Sequence, residues 1–180
     1  KILLAACNAK YIHSNLAVFN LKAYAKEYDS QVVLREYTIN QLKDDILKDI
    51  YRCHPDVVCV SCYIWNITFV RELMQDLRKI LPDVPFWAGG PEVSYDAETF
   101  LGKNPAFNGV MVGEGEETFL ELVKHYVDGS VTLEETRGLV YRKADGVLQN
   151  NGWRQLMDLS KVPFAYENLE DFENRIIYYE

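Results

Sequence analysis

The sequence predicts an α/β fold, a doubly wound and mostly parallel sheet. Two observations carry this. Five short apolar runs rich in β-formers recur along the chain, and stretches of helical period separate them. Such alternation is the signature of parallel strands joined by crossover helices. The predicted architecture is Rossmann-like, with the flavodoxin-like strand order 2-1-3-4-5.

Residues 1–7 form the first apolar run and end in the polar turn 8–15, where Ser14 or Asn15 suits a helix cap. Leu16, Phe19, Ala23 and Tyr24 give residues 16–27 a helical spacing. A second strand over 31–36 precedes a helix over 41–52 built on Leu42, Ile46 and Ile50. Pro55 breaks the chain before the most β-branched strand, 56–61. The clearest 3.6-residue period follows, in Ile67, Val70, Leu73, Met74, Leu77, Ile80 and Leu81. The fourth strand, over 84–88, stops at Gly89-Gly90-Pro91-Glu92, which reads as an irregular turn. A weak helical segment over 95–101 leads to a fifth strand over 107–112. Gly113-Glu114-Gly115-Glu116-Glu117 then opens a helix with Phe119, Leu122, Val123 and Tyr126 on one face.

Beyond residue 130 the alternation ends. Residues 138–142 and 147–149 flank an Asp145-Gly146 turn and predict a β-hairpin. The remainder shows no strong period and reads as a connector. The expected division is a sheet domain over 1–130, then a hairpin and linker over 131–180.

Bulk properties exclude several classes. A net charge of -8 without any basic stripe argues against a nucleic-acid partner. No apolar run spans a bilayer and no signal-peptide pattern opens the chain, so the expected location is cytoplasmic. Cys59 and Cys62 form a C-x-x-C, but on a strand residues three apart point to opposite faces, and no second pair completes a tetrahedral metal site.

In an open α/β sheet, ligands bind outside the carboxyl ends of the strands. Those ends hold Asn8 and Ala9 from the first strand, Ser61, Cys62 and Tyr63 from the third, Gly89, Gly90 and Pro91 from the fourth, and Gly113, Glu114 and Gly115 from the fifth. Paired glycines leave candidate floor space at the fourth exit. A flat ligand could lie across this rim, with Ser61 and backbone amides on its polar edges and Tyr63 or Trp65 on its faces. A phosphorylated receiver domain does not fit, because Asn8 and Ser61 stand where its carboxylates belong. A flavin or dinucleotide site does not fit either, since residues 8–15 contain no glycine and Glu114, Glu116 and Glu117 would repel phosphate.

Ser61-Cys62-Tyr63, Gly89-Gly90-Pro91-Glu92 and Gly113-Glu114-Gly115-Glu116, in this order and at these exits, resemble the amino-terminal cobalamin-binding domain of B12-dependent radical SAM proteins. The anaerobic magnesium-protoporphyrin IX monomethyl ester cyclase group is the member it most resembles. The likeness extends through the hairpin to the Val162-Pro163 connector. It implies cobalamin as cofactor and partner, the corrin ring on the strand ends, and a nucleotide tail in a slot lined by the third to fifth strands. Ser61, Gly89 and Gly90 are implicated by position, with Gly113 and Gly115 near the tail.

Related cobalamin domains carry D-x-H-x-x-G after the first strand, the His ligating cobalt. Here residues 10–15 have neither the Asp nor the Gly, which leaves His13 as a candidate cobalt ligand with a helix cap or surface contact as the alternative. No C-x-x-x-C-x-x-C exists among Cys7, Cys53, Cys59 and Cys62. The resemblance therefore implies that the [4Fe-4S] cluster and S-adenosylmethionine belong to a downstream radical SAM domain, a cyclase or methyltransferase in type. This chain is expected to bind that domain and cobalamin without catalytic residues of its own. The alternative is a vestigial domain that binds no cofactor and docks the catalytic domain, its strand exits plugged by Tyr11, Tyr63 or Trp65.

Overall fold

The computed structural model describes residues 1–9, 14–158, 160 and 162–163. Strands β1 (Ile2–Asn8) and β3 (Val57–Ser61) are buried along their whole length, because helices cover both faces of the sheet. β2 (Val32–Thr38), at the sheet edge, alternates buried and more exposed positions. β4 (Phe86–Gly89) and β5 (Gly109–Met111) complete the parallel part.

The order of these five strands is β2-β1-β3-β4-β5, as the sequence predicts. The predicted strand count is corrected. The sheet has seven strands, because the hairpin β6 (Leu139–Arg142) and β7 (Leu148–Asn150) adds to it, with β6 pairing antiparallel to β5. Leu139, Val140 and Tyr141 are buried, so the hairpin closes an edge that would otherwise expose unpaired backbone groups.

One face carries helices α2 (Lys43–Cys53), α3 (Ile67–Ile80), α4 (Pro91–Ser94) and α5 (Ala97–Lys103). Ile46, Ile50, Val70, Leu73, Met74, Leu77, Val93 and Leu101 form its core with alternate strand residues. The opposite face carries α1 (Leu16–Tyr24) and α6 (Glu116–Val127), which pack Leu21, Phe119, Leu122 and Val123 around Trp87 and Met111. Cys59 belongs to this second core and Cys62 to the first, as a period of two requires.

Two further elements differ from expectation. The first helix ends at Tyr24, and a tight 3-10 turn, Lys26–Tyr28, brings the Tyr28 hydroxyl to donate to Asp128 at 2.6 Å. The turn after β4 is itself a helix start, with Pro91 in the first turn of α4, where a missing N–H leaves nothing unpaired. Among the described residues no helix is long and apolar enough to cross a membrane.

Candidate functional site

The register of the sheet sets Ser61, Gly89 and Met111 side by side at the strand ends. Buried amides hold this rim in place. The Asn66 side chain, fully buried, donates to the carbonyls of Cys7 at 2.9 Å and Ser61 at 3.1 Å, and so pins the exit of β1 to that of β3. Its Oδ1 accepts from Tyr63 N–H at 2.8 Å. The Asn15 side chain donates to Ser61 Oγ at 3.1 Å, which occupies a lone pair and leaves the Ser61 proton for another acceptor. Glu36 gathers the end of β1 by accepting from the Asn8 side chain at 3.0 Å and from Asn15 N–H at 2.8 Å.

The paired glycines have different reasons to be glycine. Gly90 has φ +109°, and a Cβ there would stand 2.5 Å from the Cys62 carbonyl oxygen. Gly89 has no such constraint, since its Cβ would meet only Met111, at an ordinary 3.5 Å. What glycine provides at position 89 is room.

That room is a cavity of about 490 Å³ between the strand ends and helices α1 and α6, within the range of small-molecule sites. Val18 and Leu21 wall it on the helix side, and Leu4, Cys59 and Met111 on the sheet side. Eight of the residues singled out in the sequence line it: Ser61, Tyr63, Gly89, Gly90, Pro91, Gly113, Glu114 and Gly115. Three do not. Cys62 is fully buried on the other face of the sheet, Asn8 faces Glu36, and Ala9 is half-buried beside it. His13 and Tyr11 lie outside the described residues.

The exit of β3 carries a stacked aromatic pair, Tyr63 and Trp65, with ring centroids 4.5 Å apart and planes 7° apart. Trp65 and Ile64 are exposed there. Tyr63 lines the cavity and Trp65 does not, and the slot beside Gly89 stays open.

Sequence reasoning missed two contributors. Ser94 ties the β4 and β5 exits together, with its hydroxyl donating to Gly90 O at 2.8 Å and accepting from Gly113 N–H at 3.3 Å. Residues 153–156, read as structureless connector, form one wall of the cavity. Arg154 donates to Thr118 Oγ1 at 2.8 Å and pairs with Glu117 and Glu121, while Glu114 accepts from Met157 N–H at 2.7 Å. The available signal was a lone Trp153-Arg154 pair downstream of an acidic helix start.

The chemistry on offer is binding chemistry: an apolar slot, one hydroxyl and a set of backbone groups. Burial pushes the Cys7 thiol up to about 12 and raises those of Cys59 and Cys62 as well, so all three stay protonated. Among the described residues no three His, Cys, Asp or Glu side chains gather to hold a metal ion.

Known proteins are similar to this chain in sequence and fold. A family model described as the B12 binding domain matches residues 2–123. The chain is 26% identical over 154 residues to the cobalamin-dependent radical SAM methyltransferase TokK of Streptomyces tokunonensis, covering 81% of this chain and 22% of that protein. It is 33% identical over 107 residues to the cytidylyl-2-hydroxyethylphosphonate methyltransferase of Streptomyces wedmorensis, covering 59% of this chain and 20% of that protein. The chain thus spans about a fifth of the length of these relatives. The cobalamin-dependent S-adenosylmethionine radical enzyme OxsB, solved with aqua-cobalamin and S-adenosylmethionine bound, superposes with a TM-score of 0.71 at 18% identity, over 90% of this chain and 23% of that one, a likeness of fold. The family match runs from β1 into α6 and takes in the exits of β1, β3, β4 and β5, and by it this chain belongs to the B12-binding domain family.

Proposed function

We propose that the chain is the cobalamin-binding module of a B12-dependent radical SAM methyltransferase. The observation that carries this is the open slot beside Gly89 in a member of the B12-binding domain family. A cavity of about 490 Å³ suits the extended nucleotide tail of cobalamin and is too small for the whole cofactor, so the residues at the mouth would hold the corrin ring. Gly89 leaves the space and Ser61 offers its proton to an acceptor in the slot, while Gly113, packed against Trp153, and Gly115, packed against Leu21, line the wall beside the tail. Gly90, Pro91 and Tyr63 shape the mouth. Asn8, Ala9 and Cys62 support the rim from behind.

Bound cobalamin supplies a cobalt centre that can carry a methyl group. The [4Fe-4S] cluster and S-adenosylmethionine belong, in this reading, to a radical SAM domain that docks on the same face. The sequence resemblance pointed to the cyclase-like group, whereas the relatives are named methyltransferases, and methyl transfer is the class adopted. The docking-only alternative requires strand exits plugged by aromatic rings. Among the described residues, Tyr63 and Trp65 instead stack on each other and the slot beside Gly89 stays open.

The test is to mix the chain with hydroxocobalamin and separate it by gel filtration. Corrin absorption that travels with the protein and is shifted from that of the free cofactor is expected. An unshifted spectrum, with all the cofactor eluting free, rejects the assignment.

A further inference from the structure

We propose that residues 153–157 are a strap across the cavity, that Arg154 fastens it, and that this clasp sets how long the bound ligand stays. The inference rests on the cobalamin reading above.

The strap has a fixed root. Gly138 N–H donates to Gly152 O at 2.9 Å and Asn151 N–H to Leu139 O at 3.0 Å, so the chain is sheet-bound up to that point. From Trp153 to Leu156 it leaves the sheet and lines the cavity beside the β5 exit. Trp153 lies against Gly113, where an added Cβ would stand 3.2 Å from the indole, and its ring is 5.7 Å from that of Tyr95. Leu156 is 90% exposed, an apolar side chain held at the mouth without covering of its own.

Side chains of the α6 region hold the strap down. Arg154 is 16% exposed and reaches Thr118, Glu117 and Glu121 on successive turns of the helix. Glu114 takes the Met157 N–H at the far end. Among the described residues no other side-chain hydrogen bond or ion pair holds residues 153–157. The strap forms one wall of the slot, so a ligand seated against it leaves more readily once these charge-assisted contacts open. Glu114, Glu117 and Glu121 thus have a use at a binding site: they supply the acceptors for the strap.

The experiment measures hydroxocobalamin release from the loaded chain after dilution, as corrin absorbance still co-eluting with protein over time. Arg154→Gln is expected to release about tenfold faster, as loss of a partly buried charged clasp implies. Arg154→Lys should recover part of the retention, and the Glu117→Gln/Glu121→Gln double variant should match Arg154→Gln. Release from the unaltered chain should quicken with salt, and release from Arg154→Gln should not. Thr118 keeps its bond to Arg137 O at 3.2 Å when Arg154 is removed, so the unloaded variant should melt within a few degrees of the parent. If the parent retains cofactor and Arg154→Gln releases it at the same rate, the clasp is refuted and the cobalamin reading stands. If the parent retains none, both fall.

Discussion

Gly89 and Gly90 are neighbours under different constraints, and substitution separates them. Alanine at 90 must hold φ +109° with its Cβ 2.5 Å from a backbone oxygen that cannot swing aside. Gly90→Ala should therefore lower stability by about 2–3 kcal/mol, read as a shift of the urea midpoint. Alanine at 89 meets only Met111, at ordinary contact distances of 3.5 Å and more, and Gly89→Ala should leave the midpoint nearly unchanged. A larger side chain at 89 occupies the slot itself. Gly89→Leu should keep the fold and weaken cobalamin retention about tenfold or more, measured by gel filtration against hydroxocobalamin. A Leu variant that holds cofactor as well as the parent would place the ligand elsewhere. The glycine pair was legible in the sequence as a strand ending in open space. Which of the two served the backbone and which the cavity was not, because that depends on Cys62, just past β3, and Met111 in β5.

Elements defined by local pattern were readable: α3, from its unbroken 3.6-residue period, and β3, from its β-branched run. What joins elements was not, because it depends on residues distant in the chain. Asn66 had no visible role until its side chain was found between the ends of β1 and β3, 59 residues from Cys7. The strap was missed for the same reason, since its partners are side chains on α6 and its own sequence has no period. The tie between α2 and α3 is of this kind and gives a pH prediction. Lys43 on α2 lies 2.7 Å from Asp76 on α3, and Lys79 approaches the same carboxylate at 2.8 Å. Hydrogen bonds from Lys43 first, then Lys79, hold the Asp76 carboxyl down from 3.8 to about 2. A folded value below the unfolded one means that the tie stabilises fully above pH 3.8 and is lost as pH falls toward 2. Asp76→Asn should therefore be less stable than the parent at neutral pH, by under about 1 kcal/mol because the pair is at the surface. The gap should close as denaturation is repeated at lower pH. A gap that persists at pH 2 would mean the asparagine disturbs packing and not charge.

At the scale of the whole molecule, the question is whether the chain after residue 130 is appended to the sheet or part of it. Composition suggested a change there, because the strand–helix alternation stops. The pairing argues for inclusion. Gly109, Val110 and Met111 of β5 face Tyr141, Val140 and Leu139 of β6, and Tyr141 lies 6.5 Å, ring to ring, from the buried Trp87. Removing residues 131–180 would expose the last parallel strand along its full length and uncover part of the core around Trp87, an arrangement that favours pairing between copies. It would also remove the strap. A chain cut after Ser130 should therefore melt at least about 5 °C lower, as loss of one or more kcal/mol implies for a domain of this size, and should self-associate and release hydroxocobalamin rapidly. A chain cut after Asp158 keeps the hairpin, Arg154 and Met157, and should behave like the parent in all three respects. Melting, size-exclusion and cofactor retention on this pair of truncations decide the matter. If the shorter chain proves as stable, monomeric and retentive as the longer, the hairpin and strap are connector alone and the slot needs only the strand exits and α1 and α6. If only the longer one retains cofactor, the binding site includes the segment that seemed least structured in the sequence.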